Sequence, residues 1–505
     1  MVMFPNPDGE NKQMIKKPPQ VLDDRKKSVL MAYQQNHIIE TFDSLNEDEK
    51  TELLHRLDMI HFDFVDLVFH NLVIKSTLST PRSSIGVNQE YRSIQEADFI
   101  RHDPNREDFE STLKMISQGK LAIVISAGLS RKFGFECAKL KIRPNWDSEF
   151  SLLQLIIERA REIGATAIYR FGKGYSRKRE PIQIYVMINT SEIEEIKHFL
   201  EGVKNFGYNG LLTFGQDCLP YVNDHGKMSF EDGSHSRIRL VTNGSGAFLS
   251  ALKSQSLIDH MKNSGIEIAQ MINLNNLMVP LAEPSLMKAT DSSDIVIQVS
   301  EHDPDSEDQF PLILFGKSTQ RYEYLNKIEV AKCLKDQSVK RIEYELKTLN
   351  LYTTVKFLEK ASKSAEVLCH YRIKDHIMRE SLAPAKSAED SSFTRETENL
   401  YTFELNFLNA LRIASNVKFS LIPQHMEAIA LHRQDYSPLN KFTLKEAVAT
   451  LFKNIPKVIN NWIPYEYQSQ LEDMSKQRLL KLFTIAGFCF NESSFKKFIE
   501  ETQKK

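Results

Sequence analysis

Cysteine is scarce and scattered, with five residues at positions 137, 218, 333, 369 and 489 and no C-x-x-C pair. Neither a zinc ribbon nor a disulfide framework fits that spacing, and reduced thiols of a cytosolic protein are the expectation. An excess of one charge is lacking too. With 65 Lys and Arg against 67 Asp and Glu the net charge is -2, which gives no electrostatic basis for nonspecific nucleic-acid binding. Long apolar runs are missing. A run such as "LAIVISA" at 121–127 is too short to cross a bilayer, and the opening "MVMFPNPDGENKQ" has no apolar leader core. No internal repeat is evident. These absences predict a cytoplasmic protein with neither a membrane nor a nucleic-acid partner.

What is present is an ordinary globular composition, 41% hydrophobic and 26% charged, in a chain of 505 residues that is long enough for more than one domain. Residues 1–27, polar and carrying "KKPP", predict a flexible arm. Residues 28–110 predict a helical N-terminal segment. There Asn46 and Glu49 have capping-box spacing, and Leu53, Leu54, Leu57 and Ile60 mark one apolar face. Residues 111–440 predict the main domain, and 441–505 a helical C-terminal domain.

Within the main domain, from about 121 to 300, short apolar strands alternate with amphipathic helices. "LAIVIS", "IQIYVMI", "NGLLTFGQ", "IEIAQMINL" and "DIVIQVS" read as strands. "SLLQLIIERAREIG", "EEIKHFLEGVKNFG" and "AFLSALKSQSLIDHMKNSG" read as helices. This pattern predicts an α/β fold, with a mixed but mostly parallel sheet covered by helices on both faces. Ligands of such sheets bind beyond the carboxyl ends of the strands. The acidic stretch "EHDPDSEDQF" at 301–310 lacks the ligand order and glycine of a calcium loop, and reads as an exposed hairpin tip. After 330 the pattern reads as helical again, interrupted by a loop at "SLAPAKSAEDSSFTRETEN" (381–399).

Four strand ends carry candidate chemistry: "SAGLSRKFGFECAK", "FGQDCLP", "TNGSGAFLSAL" and "NLNNLMVPLAEP". Taken singly, each is as well explained by a tight strand–helix turn. Their order and spacing resemble the UDP-sugar pyrophosphorylase superfamily, most closely its eukaryotic UDP-N-acetylhexosamine pyrophosphorylases. The first is similar to the family's A-G-G-x-G-T-R-L-G-x-x-x-P-K through Gly128, Gly134 and Lys139, with Lys132 in place of the arginine. "SLLQLIIER" resembles S-L-F-Q-x-x-x-E-R. "FGQDCLP" resembles F-Q-Q-x-x-L-P, with Gln216 at the glutamine that reads uracil. "TNGSGAFLSAL" keeps Gly244 and Gly246 of P-D-G-N-G-G-L-Y-x-A-L, and "LNNLMVPLAEP" keeps Asn276, Ala282 and Pro284 of V-D-N-x-L-V-x-x-A-D-P. "YEYLNK" keeps Glu323, the family's sugar-facing glutamate, and "DYSPLNK" resembles E-F-S-P-L-K-N.

The resemblance implies a Rossmann-like nucleotidyltransferase fold of the GT-A-like kind. It also implies a reaction in which a sugar 1-phosphate oxygen attacks the α-phosphorus of UTP and pyrophosphate leaves, with Mg²⁺ or Mn²⁺ as cofactor. By that resemblance Lys132, Lys139 and Lys441 are catalytic. Gly128, Gly134, Gln216, Gly244 and Asn276 hold the nucleotide, Ser245 and Glu323 face the sugar, and Asn275 stands at the metal position.

The departures fall on these same functions. Asn275 replaces the metal-binding aspartate and adds no negative charge, and Ala127 and Ser130 replace loop glycines whose lack of Cβ admits phosphate. Ser245 replaces an asparagine, Asn406 and Leu408 replace the two phenylalanines of the acetamido pocket, and Lys441 stands one residue out of register. Two readings follow: an active uridylyltransferase with weakened turnover, or an inactive paralogue that binds a uridine nucleotide, a UDP-sugar or a protein partner.

Overall fold

The computed structural model describes residues 21–74, 90–100, 106–126, 151–172, 180–190, 193–274, 279–302, 312–325, 330, 343–346, 349–364, 371–382 and 393–422. The chain divides into two compact units. One comprises residues 1–69, 220–240 and 374–402, and the other takes the remainder.

The first unit begins with helices α1 (Asp24–Ala32), α2 (Asn36–Phe42), α3 (Glu47–Asp58) and α4 (Phe62–Phe69). The capping box expected at α3 is present. The Glu49 amide donates to Asn46 Oδ1 and the Asn46 amide to Glu49 Oε2, each at 3.0 Å. These helices hold the 220–240 segment through polar groups. Gln35 donates to the Gly226 carbonyl at 2.9 Å and accepts from the Met228 amide, while Arg56 reaches Glu231 and the Ile238 carbonyl at 2.7 Å.

In the second unit the chain runs β1 (Tyr91–Arg92), α5 (Arg106–Ser117), β2 (Leu121–Ser126), α6 (Leu152–Phe171), β3 (Ile182–Asn189), α7 (Ile193–Gly202) and β4 (Leu211–Gln216). Three short strands follow: β5 (Cys218–Pro220), β6 (Val222–Asn223) and β7 (Leu240–Thr242). β5 pairs with β7, and β6 belongs to a small sheet of the first unit. Then come α8 (Ala247–Ser254), α9 (Leu257–Asn263), β8 (Ile268–Asn273), α10 (Pro284–Ala289), β9 (Ile295–Glu301), β10 (Leu312–Gly316) and β11 (Arg321–Leu325). The remaining described elements are β12 (Tyr344–Glu345), β13 (Asn350–Thr354), α11 (Val355–Lys363), β14 (Tyr371–Leu382), β15 (Phe393–Glu404) and β16 (Val417–Leu421).

The main sheet has the order β12-β9-β13-β8-β2-β3-β4, with β16 also on β9. β8, β2, β3 and β4 are mutually parallel, whereas β13 is antiparallel to both its neighbours. The fold is therefore the expected mixed α/β sheet. Alternation along β2 shows both faces covered. Ile123 and Ile125 join the core under α5 and α6, and Ala122 and Val124 join the one under α8 and α11. Every residue of β2 is buried, as a central parallel strand requires.

Two expectations need correction. The single helix expected at 247–265 is two helices, broken where Ser256 adopts φ +52°. Serines at 254 and 256 lower helix propensity there, and Gln255 turns its side chain to another use described below. Among the described residues after 330, strand outweighs helix. "NLYTT" and the 371–382 and 393–404 stretches form strands, so 393–399 is not loop. Pairing of Leu351, Tyr352 and Thr353 with both β8 and β9 outweighs the apparent helical period there. The acidic stretch at 301–310, expected as an exposed hairpin tip, lies outside the described residues from 303 onward.

The chain after β8 is anchored by buried polar groups. Gln270 on β8 donates to the Pro280 carbonyl at 2.7 Å and accepts from the Ala282 amide at 3.0 Å. The Tyr352 hydroxyl accepts from the Glu283 amide at 2.9 Å. Arg159, on α6 and buried, lies close enough for its charge to act on Tyr352, and burial lowers its ionisation to about 10. Part of Glu283 reaches the surface, but its carboxyl is enclosed. Loss of solvent raises its ionisation, against hydrogen bonds from Ser285 that lower it.

Two predictions follow from this packing. Gly226 has φ +75° and a Cβ there would lie 2.9 Å from the Phe69 ring, whereas Gly233, φ +71°, has open space. Gly226→Ala is expected to destabilise the protein by about 1 kcal/mol or more beyond Gly233→Ala in denaturant unfolding, because it adds overpacking to the shared backbone strain. Equal effects would contradict the contact. For Glu283 the raised value means that the folded state favours the protonated form. This contribution is complete below the ordinary carboxylate range and is lost as pH rises through the raised value. Glu283→Gln keeps an oxygen for Ser285, so it should raise the melting temperature at pH 7 and leave it nearly unchanged at pH 4. A difference from wild type that does not vary with pH would contradict the burial of this carboxyl.

Candidate functional site

The parallel strands end together. Ser126 of β2 is opposite Met187 and Asn273, and Asn189 of β3 is opposite Gln216 of β4, so polar side chains line one carboxyl edge of the sheet. Of the residues expected to form a site, Gln216, Gly244, Ser245 and Glu323 are described. Gly128, Lys132, Gly134, Lys139, Asn275, Asn276 and Lys441 lie outside the described residues.

Gln216 is 1% exposed, and its side-chain amide donates to the Gly244 carbonyl at 2.6 Å. Its backbone carbonyl accepts from the Thr190 hydroxyl at 2.7 Å. With the NH₂ group thus engaged, Oε1 remains buried and has no hydrogen-bond partner among the described residues. An unsatisfied buried acceptor costs about 1–3 kcal/mol, so this oxygen is poised for an outside donor. Asn243, 3% exposed and next to Gly244, holds a second such atom, its Oδ1.

The 243–246 loop is fastened on its other side. Gly244 has φ +77°, a conformation that favours glycine. The Gly246 amide donates to the Leu405 carbonyl at 2.7 Å and the Leu405 amide to the Asn243 carbonyl at 3.0 Å. A Cβ on Gly246 would fall 2.3 Å from Leu405 Cγ, so this close pairing needs glycine. The Ser245 hydroxyl accepts from the Phe407 amide at 3.1 Å, at the start of the 3-10 turn Phe407–Ile413. Asn406 caps that turn by accepting from the Leu408 amide at 2.9 Å, and Leu408 is buried in the core. The two positions that replace aromatic residues are therefore a turn cap and a packing residue.

The same turn reaches Glu323 at its far end. Glu323, on β11 and 2% exposed, accepts from Arg412 Nη2 at 3.4 Å and from the Thr319 hydroxyl at 2.7 Å. A 3-10 turn of this length spans roughly 12 Å, so Gln216, Gly244, Ser245 and Glu323 lie along one chain of contacts. Arg412, Thr319 and Asn243 were not singled out from sequence. Arg412 follows a stretch that departs from the family pattern, and its partner is 89 residues away. Asn243 precedes a glycine motif and so carried a usable local signal.

Asn275, the position expected at a divalent metal, lies outside the described residues. Among the described residues no three His, Cys, Asp or Glu side chains converge. The side-chain oxygen that ends β8 is the neutral amide of Asn273, buried and without a hydrogen-bond partner among the described residues. Mg²⁺ favours carboxylate ligands, and an amide oxygen such as this one adds no negative charge.

The chain is 24% identical over 268 residues to the Arabidopsis thaliana protein named UDP-N-acetylglucosamine diphosphorylase 2, covering 51% of each chain. It is 27% identical over 180 residues to the mouse UDP-N-acetylhexosamine pyrophosphorylase-like protein 1, covering 35% of this chain and 34% of that one. The matches span about half the length of the first of these curated relatives. The structure superposes on the uridine diphosphate N-acetylglucosamine pyrophosphorylase of Trypanosoma brucei with a TM-score of 0.69, at 14% identity and over 97% of this chain and 98% of that one, which establishes a shared fold. The sequence profile of the UTP–glucose-1-phosphate uridylyltransferase family matches residues 69–388, well over half of the chain, and the protein belongs to that family.

Proposed function

We propose that this protein binds a uridine nucleotide at the carboxyl edge of its main sheet and acts as a slow uridylyltransferase. Its substrates are UTP and an N-acetylhexosamine 1-phosphate, and its products a UDP-sugar and pyrophosphate. The observation that carries the reading is the Gln216 amide. Its NH₂ is held by the Gly244 carbonyl, which leaves one buried acceptor. Uracil offers a matching donor at N3–H, and pairing the two removes an unsatisfied polar atom. In the reaction an oxygen of the sugar phosphate forms a bond to the α-phosphorus of UTP while the bond to pyrophosphate breaks. The chain's share is to position the reactants and to offset phosphate charge, for which Lys132, Lys139 and Lys441 are the candidates.

Turnover is expected to be weak because Asn275 supplies no charge for a divalent ion. Mg²⁺ or Mn²⁺ would be held mainly by the nucleotide's own phosphates. A second reading is favoured by Glu323. Both of its oxygens already have protein partners, which suits a paralogue that binds the nucleotide or UDP-sugar without transferring it, or that works through a protein partner. We place the protein in the cytoplasm.

The test is pyrophosphate release from UTP and N-acetylglucosamine 1-phosphate with Mg²⁺ or Mn²⁺. The expected result is slow release that Lys139→Ala abolishes and Asn275→Asp raises about tenfold, equivalent to roughly 1.4 kcal/mol of transition-state stabilisation. No release from either wild type or Asn275→Asp, with UTP still bound, would transfer the assignment to the binding paralogue.

A further inference from the structure

Among the described residues β4 is the edge strand of the main sheet, paired on one side only with β3. An edge residue has backbone groups with no ladder partner, and such strands fray unless those groups are met. At Gly215 both are met by one side chain. The Gly215 amide donates to Gln255 Oε1 at 3.2 Å, and Gln255 Nε2 donates to the Gly215 carbonyl at 2.8 Å. A glutamine amide has the same donor and acceptor as a peptide group, so Gln255 stands in for a missing strand residue. It can do so because the chain leaves helix between α8 and α9, where Ser256 is left-handed.

The residues on either side are held as closely. Thr190 donates to the Gln216 carbonyl at 2.7 Å, and the Asn243 amide donates to the Asp217 carbonyl at 3.0 Å. Thr190 also fills the space above Gly215, where a Cβ would come within 2.9 Å of its hydroxyl. The backbone of 215–217 is thus pinned from outside the ladder at three successive residues. The side chain so fixed is Gln216, whose orientation decides whether an oxygen or an NH₂ faces a ligand.

We propose that Gln255 and Thr190 are positioning residues that set base selectivity, by holding the Gln216 amide in the one orientation that accepts a hydrogen bond. The inference rests on the reading of Gln216 as the base contact. Uracil presents N3–H and satisfies the buried oxygen. Cytosine presents a bare N3, which sets acceptor against acceptor and leaves both unpaired. Sites built on a hydrogen bond of this kind reject the mismatched partner strongly, provided that the group cannot turn over. Loosening the β4 edge lets the amide reorient and admits cytosine. Gln255 itself is exposed, so its removal leaves the core intact.

The test is calorimetric binding of UTP and CTP to the full chain, which needs no turnover. Wild type is expected to bind UTP at least a hundredfold more tightly than CTP. Gln255→Ala and Thr190→Val are each expected to narrow that ratio about tenfold, chiefly through tighter CTP binding, with unchanged thermal unfolding. Gln255→Glu, which keeps the acceptor for the Gly215 amide, is expected to fall between. A folded Gln255→Ala and Thr190→Val that both keep the wild-type ratio would overturn the positioning role while leaving the nucleotide site standing. Wild type that binds neither nucleotide would overturn the site itself. Should Gln255→Ala fail to fold, the Gln255→Glu and Thr190→Val ratios decide in the same way.

Discussion

The contact between the Gln216 side chain and the Gly244 carbonyl joins two parts of the chain that the rest of the site is built around. On one side it fixes the end of β4, and on the other it closes the 243–246 loop, which is paired with Leu405 and leads into the 407–413 turn. Because the glutamine turns its NH₂ toward the Gly244 carbonyl, its oxygen is left buried and without a partner among the described residues. Burial makes that choice consequential. In water either end of the amide would be satisfied, whereas here the unmade bond has a cost that a suitable ligand removes.

Glycine and small polar residues make the arrangement possible by letting backbones approach. Gly246 admits Leu405, Gly215 admits Thr190, and Gly244 takes a conformation that a side chain would strain. Two of these three glycines lie in the motif that resembles a sugar-nucleotide loop, but their demonstrable role is local packing. The same geometry can serve both ends. A loop held this tightly can present a buried acceptor at a fixed place, as binding selectivity requires. The sugar side differs, since Ser245, Asn406 and Leu408 fasten the turn to the body and Glu323 is engaged by Arg412 and Thr319.

Much of this was legible in the sequence. The α3 capping box could be read from Asn46 and Glu49, since both partners lie within one turn. The parallel strands could be read from apolar runs such as 121–126, because a strand buried on both faces has no polar alternation to confuse. Gln216 and Gly244 stand out by order and spacing against a family pattern, and the structure brings the two into contact. What escaped has a common cause. The break at Ser256 is decided by Gln255 reaching a strand 40 residues away, and the Glu323–Arg412 pair joins residues 89 apart. The strands after 330 gain their stability from neighbours in the sheet and not from their own period. Contacts distant in sequence leave little local trace, so helix–strand errors and missed partners cluster where tertiary pairing dominates.

The account stands on Gln216 being the point where a uridine nucleotide is held. Its most direct test is isothermal titration of UTP into wild type and Gln216→Ala, with circular dichroism to confirm that both are folded. The account predicts saturable binding by wild type and a loss of roughly tenfold to a hundredfold in affinity for the variant, the worth of one buried hydrogen bond. Equal affinity in the two proteins would contradict it.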